Sequence, residues 1–76
     1  MLVRRSETTG GKQRIDLNQN GDQYGGGTQF SVWQYVDGHE ISRTTRIPSL
    51  TEAIALYDDQ IAIELEHNGL SFRRVP

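Results

Sequence analysis

Asp16, Asn18 and Asn20 put side-chain oxygens at alternate positions, and Gly21 follows as the sixth residue of the run. That is the first half of a twelve-residue calcium loop, which must close on a bidentate glutamate. The twelfth residue here is Gly27, so the segment predicts an Asx-rich turn without an ion. Gly25, Gly26 and Gly27 could cradle a phosphate if they led into a helix N-terminus with Lys and Ser or Thr. They lead instead into Thr28-Gln29-Phe30, an extended run, and predict a plain polar loop over 18–27. His39 follows a turn, and His67 falls in the last turn of a helix. Nothing in the spacing brings the two together or sets a serine beside a His–Asp pair. No catalytic residue, metal ligand or cofactor is assigned, and the protein is expected not to be an enzyme.

Two other groups suit binding. Trp33 and Tyr35 alternate along an extended run, with Arg43 and Arg46 on the segment that returns beside it. Aromatics beside arginine are enriched in protein-binding hot spots and can also stack single-stranded bases. The second group is on the helix that follows. Glu52, Asp59 and Glu66 repeat every seven residues and form a ridge, with Leu56 and Ile63 beside it. Exposed aliphatics set in an acidic surface make a small docking patch. Over 49–68 the chain has five acidic residues and no Lys or Arg. The other five acids share the rest of the chain with all eight basic residues. The charge is therefore −5 on the helix and +3 elsewhere.

The elements that would hold these groups are legible in turns and caps. Gly10-Gly11 between 3–9 and 12–17 is a hairpin signal, because both glycines can take positive φ. Its register sets Glu7 opposite Arg14 and Arg5 opposite Asp16, with Ile15 and Leu17 on the other face. Asp37-Gly38 between 30–36 and 39–47 is a stronger signal of the same kind. Counted outward from it, Phe30, Val32, Gln34 and Val36 share a face with Ile41, Arg43 and Ile47. Trp33 and Tyr35 share the other with Glu40, Ser42 and Arg46. A slip of one residue would exchange the faces and make Trp33 core. Ser49 and Glu52 form a capping box and Asn68-Gly69 a stop signal. Between them Leu50, Ala53, Ile54, Tyr57, Ile61 and Leu65 form an apolar stripe. Residues 70–75 predict a last edge strand. The expected fold is α+β, an antiparallel four- to five-stranded sheet with one long amphipathic helix packed on one face, in the order ββ-ββ-α-β.

Residues 1–76 suit one domain. A chain this short has a thin core, and without cysteine it has no disulfide or thiolate-held zinc to compensate. The net charge of −2 is not that of a generic nucleic-acid binder. No apolar run reaches the ~20 residues of a membrane span. The charges at the N-terminus have no signal-peptide core behind them, and a cytoplasmic protein is expected.

Two resemblances follow from these residues. The run Phe30-Ser31-Val32-Trp33 through Asp37-Gly38, then Ile47-Pro48-Ser49-Leu50-Thr51-Glu52-Ala53, resembles the strand–turn–strand–helix pattern of integrase arm-type DNA-binding domains. That resemblance implies DNA or RNA binding through a sheet. By size and acidic helix, the chain is also similar to small phage-encoded inhibitors of bacterial defence, the anti-CRISPR type. The first functional expectation is accordingly a protein-binding module. Its acidic helix (Glu52, Leu56, Asp59, Ile63, Glu66) would block a basic surface of a nucleic-acid-handling host protein. The second is nucleic-acid binding through Trp33, Tyr35, Arg43 and Arg46. A third is a homodimer whose helices pair through Leu56 and Ile63.

Overall fold

A computed structural model describes residues 1–21 and 27–76. Residues 22–26, which include two of the three consecutive glycines, lie outside the described residues. Five strands and one helix follow in order: β1 (Leu2–Glu7), β2 (Gln13–Asn20), β3 (Gln29–Val36), β4 (His39–Ile47), α1 (Leu50–Asn68) and β5 (Arg73–Val75). All strand pairs are antiparallel, in the order β4-β3-β2-β1-β5, and α1 packs on one face across β2, β3 and β4. This is the α+β fold expected.

The first hairpin has the register its charges imply, Glu7 opposite Arg14 and Arg5 opposite Asp16. Gly10 and Gly11 both take positive φ, within a short 3-10 turn (Thr9–Gly11) wider than a two-residue loop. The polar run after Leu17 does not leave the sheet. β2 continues through Asn18, Gln19 and Asn20, which pair with Ser31, Phe30 and Gln29. The Asx-rich turn expected there is therefore strand up to Asn20, because a neighbouring strand takes up backbone groups that a polar loop would leave to water.

Even side-chain alternation puts Ile15 and Leu17 of β2 and Phe30 and Val32 of β3 on the helix side. With Ile47, Ala53 and Tyr57 they form the buried core, flanked by Val3, Ile54, Ile61 and Phe72. Ser49 caps α1 by accepting the Glu52 N–H at 3.2 Å, while the reciprocal bond of a capping box is not made. Gly69 closes it in the left-handed region, its N–H and that of Leu70 reaching back to the Leu65 and Glu64 carbonyls.

The apolar stripe of α1 is shorter than its spacing implies. Leu50 and Leu65 are exposed. Leu65 lies eight residues from Tyr57, about 80° round the helix at 100° per residue, so it points past the sheet. Beside Ile61, the C-terminal half of α1 meets the sheet through polar contacts. Gln60 Nε2 donates to buried Gln34 Oε1 at 2.8 Å, Gln34 Nε2 to Glu64 Oε1 at 3.1 Å, and Asn68 Nδ2 to Glu64 Oε2 at 2.9 Å.

Candidate functional site

No described element covers the other face of the sheet, and the residues on it are unusual for a solvated surface. Trp33 and Tyr35 point there, away from α1, so the slipped register that would bury Trp33 in the core is not the one adopted. The indole donates its Nε1–H to Ser31 Oγ at 2.7 Å, and Ser31 is fully buried beneath it. The Tyr35 ring is within 9° of the indole plane, its centroid 6.4 Å away. The two rings form a partly exposed aromatic floor along β3.

Guanidinium groups are arranged about this floor. Arg14 pairs across to Tyr35 from β2 and places its guanidinium carbon 4.3 Å from the ring centroid. Arg43 pairs across to Trp33 from β4, at 5.5 Å. Both distances suit a cation–π contact. Arg5, one strand further, binds Asp16 through two hydrogen bonds, Nε to Oδ1 at 2.8 Å and Nη2 to Oδ2 at 3.0 Å. That hydrogen bond to Asp16 raises the Arg5 pKa further above its usual value, against the opposing effect of burial. Arg14 Nε approaches Asp16 Oδ2 at 3.3 Å, close enough for an ion pair but not aligned as a hydrogen bond, and so remains a buried donor without a partner. Asp16 is itself buried. It is a fixed counter-ion shared by two arginines.

Arg43 reaches this face through a bulge. A regular strand running back from Asp37-Gly38 would set Arg43 opposite Val32, on the helix side. Tyr35 does pair with Glu40, but Gln34 pairs with Ser42, so Ile41 is an extra residue and everything after it shifts by one. Ser42, and with it Thr44, leaves the aromatic face and Arg43 joins it. A second irregularity, with Arg46 at φ 58, restores the original parity and returns Ile47 to the core opposite Phe30. Arg46 is exposed at that bulge, and the guanidinium groups over the two rings are those of Arg14 and Arg43. The structure thus brings Arg43 to Trp33 and Tyr35 from the face where an even register would have left it, sets Arg46 aside, and adds Arg5 and Arg14. The added pair was legible in the Arg5–Asp16 and Arg14–Glu7 register, but only the order of strands in the sheet brings it beside β3.

The acidic helix residues hold a different surface. Glu52, Asp59 and Glu66 are exposed, and Leu56 and Ile63 are 40% and 46% exposed. Among the described residues, no ion pair joins a helix carboxylate to a basic side chain; the three pairs are Arg5–Asp16, Arg14–Asp16 and Arg43–Glu40. Leu65, the most exposed aliphatic of α1, lies on the opposite flank from Leu56 and Ile63, so the exposed apolar residues do not merge into one patch.

Among the described residues no cluster of three acidic or histidine side chains could hold a metal, and no helix is long and apolar enough to cross a membrane. Set against protein-family models, curated proteins and solved structures, the chain matches none of them.

Proposed function

We propose that this protein is a non-enzymatic binding module that holds nucleic acid against the open face of its sheet. The observation that carries this reading is the aromatic floor of Trp33 and Tyr35, flanked by Arg14 and Arg43, on a sheet face that no described element covers. A sheet face that only meets water is ordinarily polar along its alternate positions. Setting a tryptophan and a tyrosine there exposes apolar rings in a domain whose core is already thin. Arginine beside the rings suits phosphate and base together, since guanidinium donates to phosphate oxygens and stacks on planar groups. Trp33 is the chain's single tryptophan, so its fluorescence reports on this face directly. Titration with mixed DNA and RNA oligonucleotides at low salt is expected to quench it. Unchanged emission and no gel shift at millimolar protein would refute the reading.

A second reading is favoured by the unpaired helix carboxylates. In it, Glu52, Asp59 and Glu66 give electrostatic complementarity to a basic protein surface, and Leu56 and Ile63 a small apolar anchor, so that the module inhibits a nucleic-acid-handling partner. Among the described residues those carboxylates have no internal basic partner, which supports it. Its apolar anchor is only two side chains, Leu56 and Ile63, each less than half exposed; that makes it the weaker of the two, and weakens the homodimer reading for the same reason.

A further inference from the structure

Resting on the sheet-face reading, we infer that the nucleic acid it takes is a single strand and not a duplex. The spacing of the two rings is the first reason. Their centroids are 6.4 Å apart, close to the separation of alternate residues on a strand. Neighbouring bases within a helical stack rise only about 3.4 Å per nucleotide. Two successive bases can take one ring each only when the strand is drawn out to roughly twice that rise. A duplex cannot offer this, because its base faces are already covered by their neighbours and only their edges are open.

Charge is the second reason. A duplex binder without base stacking draws its affinity from many phosphate contacts. On this face Arg5 and Arg14 share Asp16, and Arg43 lies 3.4 Å from Glu40. Most of the positive charge is thus compensated within the face, and the whole chain is at −2. Few phosphates can be neutralised, so stacking has to supply the affinity.

The third reason is that the indole can be uncovered. The Arg43 side chain is 59% exposed, and its ion pair is with Glu40, whose side chain is 36% exposed. It can swing from the indole to a phosphate when a base arrives. Arg14 sits closer to its ring and against Asp16. It stays, adding its own guanidinium plane to the stack over Tyr35.

The test uses the intact chain, Trp33 fluorescence and the anisotropy of labelled 12-mers: oligo-deoxythymidine, oligo-uridine, and a mixed-sequence DNA duplex. At least one single strand is expected to bind about tenfold or more tighter than the duplex, and the two single-stranded arms tell which sugar is taken. With about two phosphates engaged, log affinity should fall against log salt with a slope near −1.4, at about −0.7 per phosphate. Trp33→Ala should weaken single-strand binding by about 5- to 150-fold, the range for losing one stacked base. Trp33→Phe, which keeps a ring and the fold, should retain most of it. Tighter binding of the duplex, or a steep slope with no loss in Trp33→Ala, overturns the single-strand inference and leaves the sheet-face reading standing. No binding in any arm overturns both.

Discussion

At the scale of single residues, two buried polar groups hold the faces of the sheet in place. Asp16 is the counter-ion of the open face. Replacing it by Asn leaves Arg5 and Arg14 side by side with only Glu7, on the neighbouring pair, to offset them. Removing one partner of a fully buried pair costs about 3–5 kcal/mol. Here the arginine side chains are about a third exposed, so water screens their repulsion. We expect Asp16→Asn to cost about 1–2 kcal/mol, read from the urea midpoint, with part of the loss recovered in 1 M salt. On the helix side, the Tyr57 hydroxyl is hydrogen-bonded to buried Ser6. Burial raises the Tyr57 pKa, while the Ser6 hydrogen bond and nearby Arg74 and Arg4 oppose the rise. The folded state therefore releases this proton less readily than the unfolded chain. The stability tied to Tyr57 is complete below pH about 10 and is lost as pH climbs above it. Tyr57→Phe strands the Ser6 hydroxyl and should cost about 1–2 kcal/mol at neutral pH. Its deficit against the parent should shrink in alkali, and a deficit constant to pH 11 would contradict this account.

At the scale of elements, what the sequence disclosed and what it withheld have separate physical causes. Turns and caps are local chemistry, so Asp37-Gly38, Ser49 and Gly69 mark their elements correctly. Cross-strand charge pairs fixed the first hairpin for the same reason. The extent of β2 was hidden because Asn18, Gln19 and Asn20 read as a loop until β3 lies beside them. The helix stripe overran because periodicity says which residues share a face, but not how far the sheet beneath extends. Bulges are the least legible of all. Ile41 has a strong strand propensity and an ordinary place in the alternation, yet it is the extra residue that decides which face receives Arg43. Deleting Ile41 should therefore leave the Tyr35–Glu40 and Trp33–Arg43 pairs intact, with the fold and the Trp33 emission close to those of the parent. If the pairing instead ran evenly from the turn, the same deletion would swing Arg43 across the sheet and shift that emission. β4 is also an outer strand with one edge unpaired, and bulges protect such edges from pairing with other chains. The deleted form, with a straighter edge, is expected to self-associate with rising concentration in light scattering.

At the scale of the molecule, the sheet separates two surfaces of different character. One carries aromatic rings and guanidinium groups, the other a helix with five carboxylates and no Lys or Arg of its own. For a nucleic-acid binder the acidic helix has a definite consequence. It repels phosphates from the back of the domain and leaves the open face as the one approachable side. For an inhibitor of a basic protein the same helix would be the recognition surface itself. Replacing Glu52, Asp59 and Glu66 together by lysine separates these roles. Each reversal changes the charge by two units, so three take the chain from −2 to +4. The three side chains are exposed and none is in an ion pair among the described residues, so the fold should persist, with circular dichroism close to the parent's. If the open sheet face does the binding, the lysine variant keeps its quench of Trp33 by a single strand. Its affinity should also rise at low salt, with a steeper salt dependence, because new cations add phosphate contacts that stacking does not need. If the helix does the binding, the variant loses a basic partner that the parent captures, and the response of Trp33 to nucleic acid is small in both. A parent that binds neither oligonucleotide nor basic protein would leave both surfaces without the role their chemistry suggests.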